Sequence, residues 1–494
     1  MQLSKLKTKM RGTATDSLLL TFVKVVSAAL GLLTSKVLST QFTLQENGTY
    51  SQAMLLVSTV TSISILGLSD AVNYFYNAAD DDETKQRNIA TVFGIQYFIG
   101  ILSGLLICAF SVPITAYYFK NDDLYKIIFF AAWMPVFNNL LPMLQVLFIS
   151  IGKAKVIAVR NFIVSVMRLA AVAIAAFLTK NIVTVFIIIL ALDVAQVVYF
   201  YVTFSKSRFP IRMRLFSRKM IKPILAFSIP MAVFVFTSAL SRDIDKYVIS
   251  FFTDTETLAI YTYAAKVLPF DMLTASFLTV LVPIITRQVR GEKFEDAQTT
   301  LRSYLRIGYL VTWILVTGAI VNAKEMMLFF YDEKYLPGLG VFILYLFVDM
   351  IKFANASLVL SAKGRTKTLM TCSLIALGAN LVLNIAAFHL FGIIGPAITT
   401  LVVTFGLMVT LVTISAREIH TTIWRLFNWK EVGLIVLELC AVGAGSYGLK
   451  LLLYRWISSF VLVLILTYGF FLAVMLLLNY KRIFRCLKEI NALK

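Results

Sequence analysis

Gly152-Lys153-Ala154-Lys155 closes one apolar stretch and opens the next, and Gly364-Arg365-Thr366-Lys367 does the same further on (364 − 152 = 212). A fainter echo lies earlier, where Gly48-Thr49-Tyr50-Ser51 and Ala259-Ile260-Tyr261-Thr262 align their tyrosines at nearly the same separation (261 − 50 = 211). A near-constant offset across two kinds of turn predicts a duplicated bundle of membrane helices. Bundles of that kind commonly serve alternating-access transport, with the substrate path between the repeats.

Composition points the same way. Of 494 residues, 59% are hydrophobic and 15% charged, against roughly 45–50% and about 25% in soluble domains. Mean hydropathy is +0.83. Apolar runs of roughly 20 residues, enough to cross a hydrocarbon core as helices, follow one another from end to end. No long polar stretch leaves room for a soluble catalytic domain, so the expected class is an all-α polytopic membrane protein.

The formal net charge of +20 suits a nucleic-acid partner only until its distribution is considered. Lysines and arginines gather in alternate loops: Lys5 to Arg11, Arg208 to Lys219, Arg287 to Lys293, Lys363 to Lys367, and Lys481 to Lys488. The loops between, such as 41–48, 252–256 and 391–395, carry almost none. That alternation follows the positive-inside rule and places both termini in the cytoplasm, with no nucleic acid bound. Anionic lipid head groups are expected against the basic loops. Cys108, Cys372, Cys440 and Cys486 have neither metal nor redox spacing. The basic N-terminus leads into an apolar run too long for a signal-peptide core, which reads as a retained first helix. Asn47-Gly48-Thr49 matches the glycosylation pattern, a three-residue match of the sort that chance supplies.

Windowed hydropathy gives about fourteen transmembrane helices. Residues 12–204 form an N-lobe of helices 1–6, and 205–222 a cytoplasmic basic connector. Residues 223–415 form a C-lobe of helices 7–12, and 432–478 hold two additional helices. An even number of spans in each lobe makes the internal repeat parallel, related by an axis along the membrane normal. The same offset places Arg168 at the position of Asn380, mid-way along each fifth helix.

An ionisable group at the bilayer centre costs roughly 2.5–3.5 kcal/mol on insertion scales, so it faces protein or water. In the first span Lys24, Ser27, Gly31 and Thr34 form a polar or small stripe at helical spacing. It reads either as close helix packing with a snorkelling lysine or as a cavity wall carrying a cation. The seventh span holds Ser238, Ser241, Arg242, Asp243, Asp245 and Lys246 within nine positions. These read either as a self-neutralised cluster keeping helices in register or as a hydrated vestibule that attracts an anion, and six polar groups so close favour the vestibule. Lys266 and Asp271 on the eighth span are candidates for the same space. Asp349 and Lys352 are spaced for a local ion pair, and Arg168 is the candidate partner of Asp193, with Gln196 beside it. Asn380 and Asn384 are spaced to join helices through amide hydrogen bonds. Asp80-Asp81-Asp82-Glu83 reads as a solvated acidic loop rather than a divalent-cation site.

Enzyme chemistry is poorly represented. His389 and His420 lack ligand-spaced companions, and no Walker-type glycine loop occurs. The expectation is a non-enzyme with no cofactor, no metal and no catalytic residue. The Gly-Lys turns read as tight inner turns that fix lobe geometry.

Three stretches carry a family resemblance. Gln45-Glu-Asn-Gly-Thr-Tyr-Ser-Gln-Ala-Met, after a polar-striped first helix, resembles the first hairpin of bacterial polysaccharide (O-antigen) flippases of the multidrug/oligosaccharidyl-lipid/polysaccharide (MOP) exporter superfamily. Ser228-Ile-Pro, the Arg242–Lys246 cluster and Ala259-Ile-Tyr-Thr are similar to the seventh and eighth helices of that family. Ser361-Ala-Lys-Gly-Arg-Thr-Lys, Asn380-Leu-Val-Leu-Asn and Phe391-Gly-Ile-Ile-Gly-Pro-Ala-Ile are similar to its tenth-to-twelfth segment. The resemblance spans roughly residues 12–415.

It implies two six-helix lobes around a central cavity, in the bacterial cytoplasmic (inner) membrane. It also implies that lipid-linked oligosaccharide on an undecaprenyl diphosphate carrier passes from the cytoplasmic to the outer leaflet, for lipopolysaccharide or related polysaccharide. Lys24, Arg242, Lys246 and Lys266 lie on the helices that line such a cavity and would suit a diphosphate and acidic sugars. Polysaccharide polymerase or assembly proteins would be partners of a monomeric chain. Asp243, Asp245, Asp271 and Asp349 are the candidates for ion coupling, although a substrate-driven equilibrium fits equally. The alternative within the superfamily is a cation-coupled multidrug exporter, which the cation in helix 1 disfavours. A membrane glycosyltransferase or polymerase would need a larger extramembrane loop than the basic connector.

Overall fold

The computed structural model describes residues 23–266, 268, 270–354 and 357–492, and they hold helices and no strand. In chain order the α-helices are α1 (Val23–Gln41), α2 (Leu44–Ser64), α3 (Leu68–Asn77), α4 (Asp82–Ala109), α5 (Asp123–Ala131), α6 (Met134–Ser150), α7 (Ala154–Thr179) and α8 (Ile182–Ser207). They continue as α9 (Arg218–Phe252), α10 (Thr255–Ala264), α11 (Asp271–Arg290), α12 (Phe294–Val321), α13 (Ala323–Phe330), α14 (Leu339–Lys352), α15 (Ser357–Ala362) and α16 (Thr366–Phe391). The last are α17 (Gly395–Glu418), α18 (Ile423–Leu426), α19 (Trp429–Leu453) and α20 (Phe460–Ala492). Residues 12–22 of the expected first helix lie outside the described residues.

Twelve stretches among the described residues are long and apolar enough to cross a membrane, against about fourteen expected. The difference has two local origins. The stretch Lys367–Glu418 runs for 52 residues, but α16 and α17 within it fold back on each other. Gly392 turns the chain at φ +60, and Thr399 Oγ1 donates to the carbonyl of Leu383 across the hairpin at 3.3 Å. The span expected over 259–285 is divided, because α10 ends at Ala264 and α11 begins at Asp271.

Contacts divide the chain into two compact units, Met1–Ala259 and Ile260–Lys494. Helix α9 therefore belongs with the first unit, although its sequence opens the second repeat. In the first unit, α2 packs along α9, and α6 packs against α3, α4 and α8. In the second, α12 is central, touching α11, α14, α19 and α20. Lipid tails are as apolar as leucine, so close van der Waals packing and interhelical polar contacts hold such bundles together.

The same local construction recurs in each unit. The Gly152 amide donates to Ile149 O and Lys153 to Phe148 O, while Gly364 donates to Ser361 O and Arg365 to Leu360 O. Both glycines are left-handed, with φ +73 and +70. This pattern closes the orphan carbonyls of a helix end, and the left-handed residue is where a side chain costs most. Helix starts match as well: Thr43 caps α2 in a capping box with Glu46, and Asp254, at the 211 offset, accepts from the Thr257 amide at 2.7 Å. The contact between Asp82 and Arg208 in the first unit has its counterpart, at offset 212, in the contact between Phe294 and His420 in the second.

Helices α19 and α20, expected to stand outside the repeat, are tied to α12 and α13 by polar contacts. Arg306 meets Glu431 at 2.9 Å, and Lys450 meets Glu325 at 3.1 Å. Tyr454 donates to Glu325 at 2.8 Å and Thr467 to Asn322 at 2.6 Å. A charge in hydrocarbon without such a partner would be expelled or neutralised.

At both Gly152 and Gly364 an added Cβ would meet nothing within 4 Å, so substitution there tests backbone conformation alone. Gly152→Ala and Gly364→Ala are each expected to destabilise the chain by about 1–2 kcal/mol, with asparagine milder because it tolerates the left-handed region. Thermal unfolding of the purified protein in detergent measures this. Equal midpoints for glycine, asparagine and alanine would contradict the turn assignment.

Candidate functional site

The α2–α9 seam of the first unit is built from hydroxyl-rich sequence. Ser58 and Thr59 on α2 reach an α9 segment that carries the charged cluster, while the Ser62 hydroxyl turns back to the carbonyls of Ser58 and Thr59. Lys246 bonds Asp243 Oδ1 at 2.6 Å, and Ser58 donates to the other oxygen, Oδ2, at 3.2 Å. Tyr247 bonds Thr59 through its hydroxyl and also donates to the carbonyl of Leu55 at 3.2 Å. Asp245 is buried, and its carboxylate accepts from the Lys246 amide at 2.8 Å. Lys246 and Asp243 remain partly exposed, at 20% and 16%. A pair three residues apart on one helix neutralises itself, and the serine fixes it to the neighbouring helix.

Arg242 differs from the rest of the cluster. It is exposed and has no ion-pair partner among the described residues. Lys24 on α1 is likewise exposed and without one there. Gly31 on its stripe is exposed, Ser27 and Thr34 are half-buried, and the Thr34 hydroxyl turns back to the carbonyl of Leu30 at 2.9 Å. Within the predicted seventh-helix cluster Lys246 and Asp243 neutralise each other, whereas Arg242 is exposed with no ion-pair partner among the described residues.

The second unit holds a different construction. Asp349, buried near the end of α14, accepts the backbone N–H of Leu268 at 3.2 Å and meets Lys352 at 3.5 Å, the spacing-predicted pair. Leu268 lies in the break between α10 and α11, where helical bonding stops. At membrane depth such a freed amide needs an internal acceptor, and the carboxylate supplies it. Lys266, in the same break, is exposed. Asp271 begins α11, and its side chain lies outside the described residues.

Sequence spacing correctly paired Arg168 with Asp193, at 2.6 Å. It missed Arg160, two turns earlier on α7, which bonds Gln196 and lies 4.1 Å from the centre of the Phe200 ring. The available signal was position, since 160 and 168 share a helix face. Asn380 and Asn384 correct the expectation of helix-joining amides. Both are buried, yet Asn380 Oδ1 and both polar atoms of Asn384 have no hydrogen-bond partner among the described residues. The α16–α17 hairpin is closed instead by Gly395 against the backbone around Ala387, which brings the helices together without them.

Two motif-level features resolve as structural. Asn47 is buried, and its amide donates to the carbonyls of Leu38 and Phe42 at 3.0 and 3.2 Å, so it is committed to the α1–α2 turn rather than presented as a glycan acceptor. In the acidic stretch, Asp81 caps α4, and the Thr84 amide holds its carboxyl below the usual carboxylate range. Asp82 pairs with Arg208 and Glu83 with Arg87.

A family model described as polysaccharide biosynthesis protein matches residues 37–339, more than half of the chain. Solved structures share the fold at low identity. The lipid II flippase MurJ in an inward closed conformation is 15% identical, with TM-score 0.69, covering 93% of this chain and 99% of that one. An inward-facing multidrug resistance MATE family transporter of the MOP superfamily is 13% identical, with TM-score 0.65, covering 82% and 98%. A MOP superfamily transporter from Pyrococcus furiosus is 13% identical, with TM-score 0.59, covering 82% and 94%. No curated protein sequence matches the chain.

The Arg168–Asp193 pair generates a stability test. Asp193→Ala strands a cation in the span and is expected to cost about 3 kcal/mol or more. Adding Arg168→Met should recover most of that loss. Unfolding midpoints of the two variants decide it: a double variant no more stable than Asp193→Ala would rule out the pairing as the energetic unit.

Proposed function

The chain belongs to the polysaccharide biosynthesis protein family, and from that premise we propose that it is a flippase. It moves lipid-linked oligosaccharide or polysaccharide precursors from the cytoplasmic to the outer leaflet of the bacterial inner membrane by alternating access. The observation that carries this reading is the pair of exposed cations, Lys24 on α1 and Arg242 on α9, each on a spanning helix and each without a carboxylate ion-pair partner among the described residues. An anion entering a low-dielectric route loses hydration, and fixed cations replace part of it. Lys24 and Arg242 take the phosphate-bearing carrier.

Lys246 plays a supporting part here, because Asp243 already neutralises it and Ser58 holds the pair in place. That pair orients the α9 segment from which Arg242 projects. The fold shared with MATE transporters raises ion coupling, with Asp243, Asp245, Asp271 and Asp349 as its carriers. Asp243 and Asp349 already accept two donors each, an arrangement suited to holding helices.

A Lys24→Ala, Arg242→Ala double variant is expected to express normally and to accumulate lipid-linked oligosaccharide on the cytoplasmic leaflet, with surface glycan reduced about tenfold or more. Charge-retaining Lys24→Arg should keep most activity. Leaflet-resolved labelling of the lipid-linked pool reads the outcome. Wild-type glycan at wild-type protein levels would remove the cationic role assigned to these two residues.

A further inference from the structure

At one end of the first unit the chain forms an open pocket of about 480 Å³. Four elements meet there: the end of α3 with Tyr76, the start of α4 with Lys85, the α6–α7 turn with Gly152 and Lys153, and the end of α8 with Arg208. Three cations line the pocket and no carboxylate does. Arg208 spends one guanidinium nitrogen on Asp82 at 2.9 Å, which anchors the group and leaves its remaining N–H donors. Lys85 lies 5.7 Å from the centre of the Tyr76 ring, and neither Lys85 nor Lys153 has a carboxylate partner among the described residues.

The second copy of this turn shows what was removed. There Lys363 and Arg365 both bond Glu418, at 3.0 and 3.2 Å. Arg365 stands at the repeat position of Lys153 (365 − 153 = 212), and Glu418 stands at that of Lys206 (418 − 206 = 212). The second turn thus carries its own counter-ion, while the first has a lysine in place of that glutamate. The turn hydrogen bonds are the same in both, and the difference lies in the side chains around them, with Lys206 against Glu418, Ile151 against Lys363 and Arg208 against His420.

We infer that this pocket is an anion site for a phosphate-bearing group, separate from the Lys24 and Arg242 positions and independent of the cargo assigned to them. Two ammonium groups and a planar guanidinium match the charge and oxygen geometry of a phosphate or diphosphate, which a single carboxylate ligand would not balance. The volume falls within the roughly 300–1,000 Å³ of small-molecule pockets. The phosphate comes either from a soluble phosphorylated molecule or from a lipid head group.

The test uses the full chain, as wild type, as a Lys85→Gln, Lys153→Gln double variant, and as Lys206→Glu, which installs the counter-ion of the second copy. One arm titrates detergent-solubilised protein with inorganic pyrophosphate by calorimetry. The other counts phosphatidylglycerol retained by protein purified from nanodiscs of mixed phosphatidylglycerol and phosphatidylcholine. Thermal unfolding checks that all three proteins fold. Binding of pyrophosphate that weakens about tenfold or more in both variants supports a soluble ligand. Loss of phosphatidylglycerol retention in both variants, without a pyrophosphate isotherm in wild type, supports a lipid head group. Folded variants that match wild type in both arms overturn the site.

Discussion

A charge inside an apolar slab is costly unless it is partnered or reaches water, and that constraint organises much of this molecule. Hydrocarbon offers no hydrogen bonds, so each charge on a spanning helix is paired, held at an edge, or in contact with water. Asp243 takes Lys246 and Ser58, Asp193 takes Arg168, Asp349 takes a freed backbone amide, and Glu325 takes Lys450 and Tyr454. Such polar contacts act together with close van der Waals packing in holding the helices. Against that background an exposed cation with no ion-pair partner among the described residues carries information, and Lys24 and Arg242 are two of them.

Much of the architecture was legible in the sequence because its signals are local. Apolar runs mark helices. A left-handed glycine leaves the same trace wherever the turn is reused, so the duplicated Gly-Lys pattern led to two turns with matching hydrogen bonds. The division between α10 and α11 had a local sign in Pro269, between Ala264 and Asp271 in the sequence, but not the contact of Asp349 with Leu268 from a helix some eighty positions later (349 − 268 = 81). The same limit applies to the site. Spacing found the Asp349–Lys352 and Arg168–Asp193 pairs, but it grouped Arg242 with Lys246 on one face. Only the fold separates the neutralised lysine from the exposed arginine.

Duplication supplied a repeated frame, and the functional candidates sit where the copies differ. Arg168 corresponds to Asn380, and Lys206 corresponds to Glu418. In one copy of the inner turn the cations are closed off by a glutamate; in the other they face an open pocket. The two copies share a backbone turn and differ in the side chains around it, with Lys206 against Glu418, Arg208 against His420 and Lys85 against Ala297. The family places the chain in polysaccharide biosynthesis, and the cations suit a carrier bearing phosphate.

The most direct measurement is transport itself. Purified protein is reconstituted into liposomes containing a fluorescent lipid-linked diphosphate sugar, and an impermeant quencher is added outside. Flipping predicts that the inner-leaflet fluorescence, protected in empty liposomes, becomes accessible at a rate that scales with protein. A protected pool identical to that of empty liposomes, with protein folded and inserted, would contradict the account.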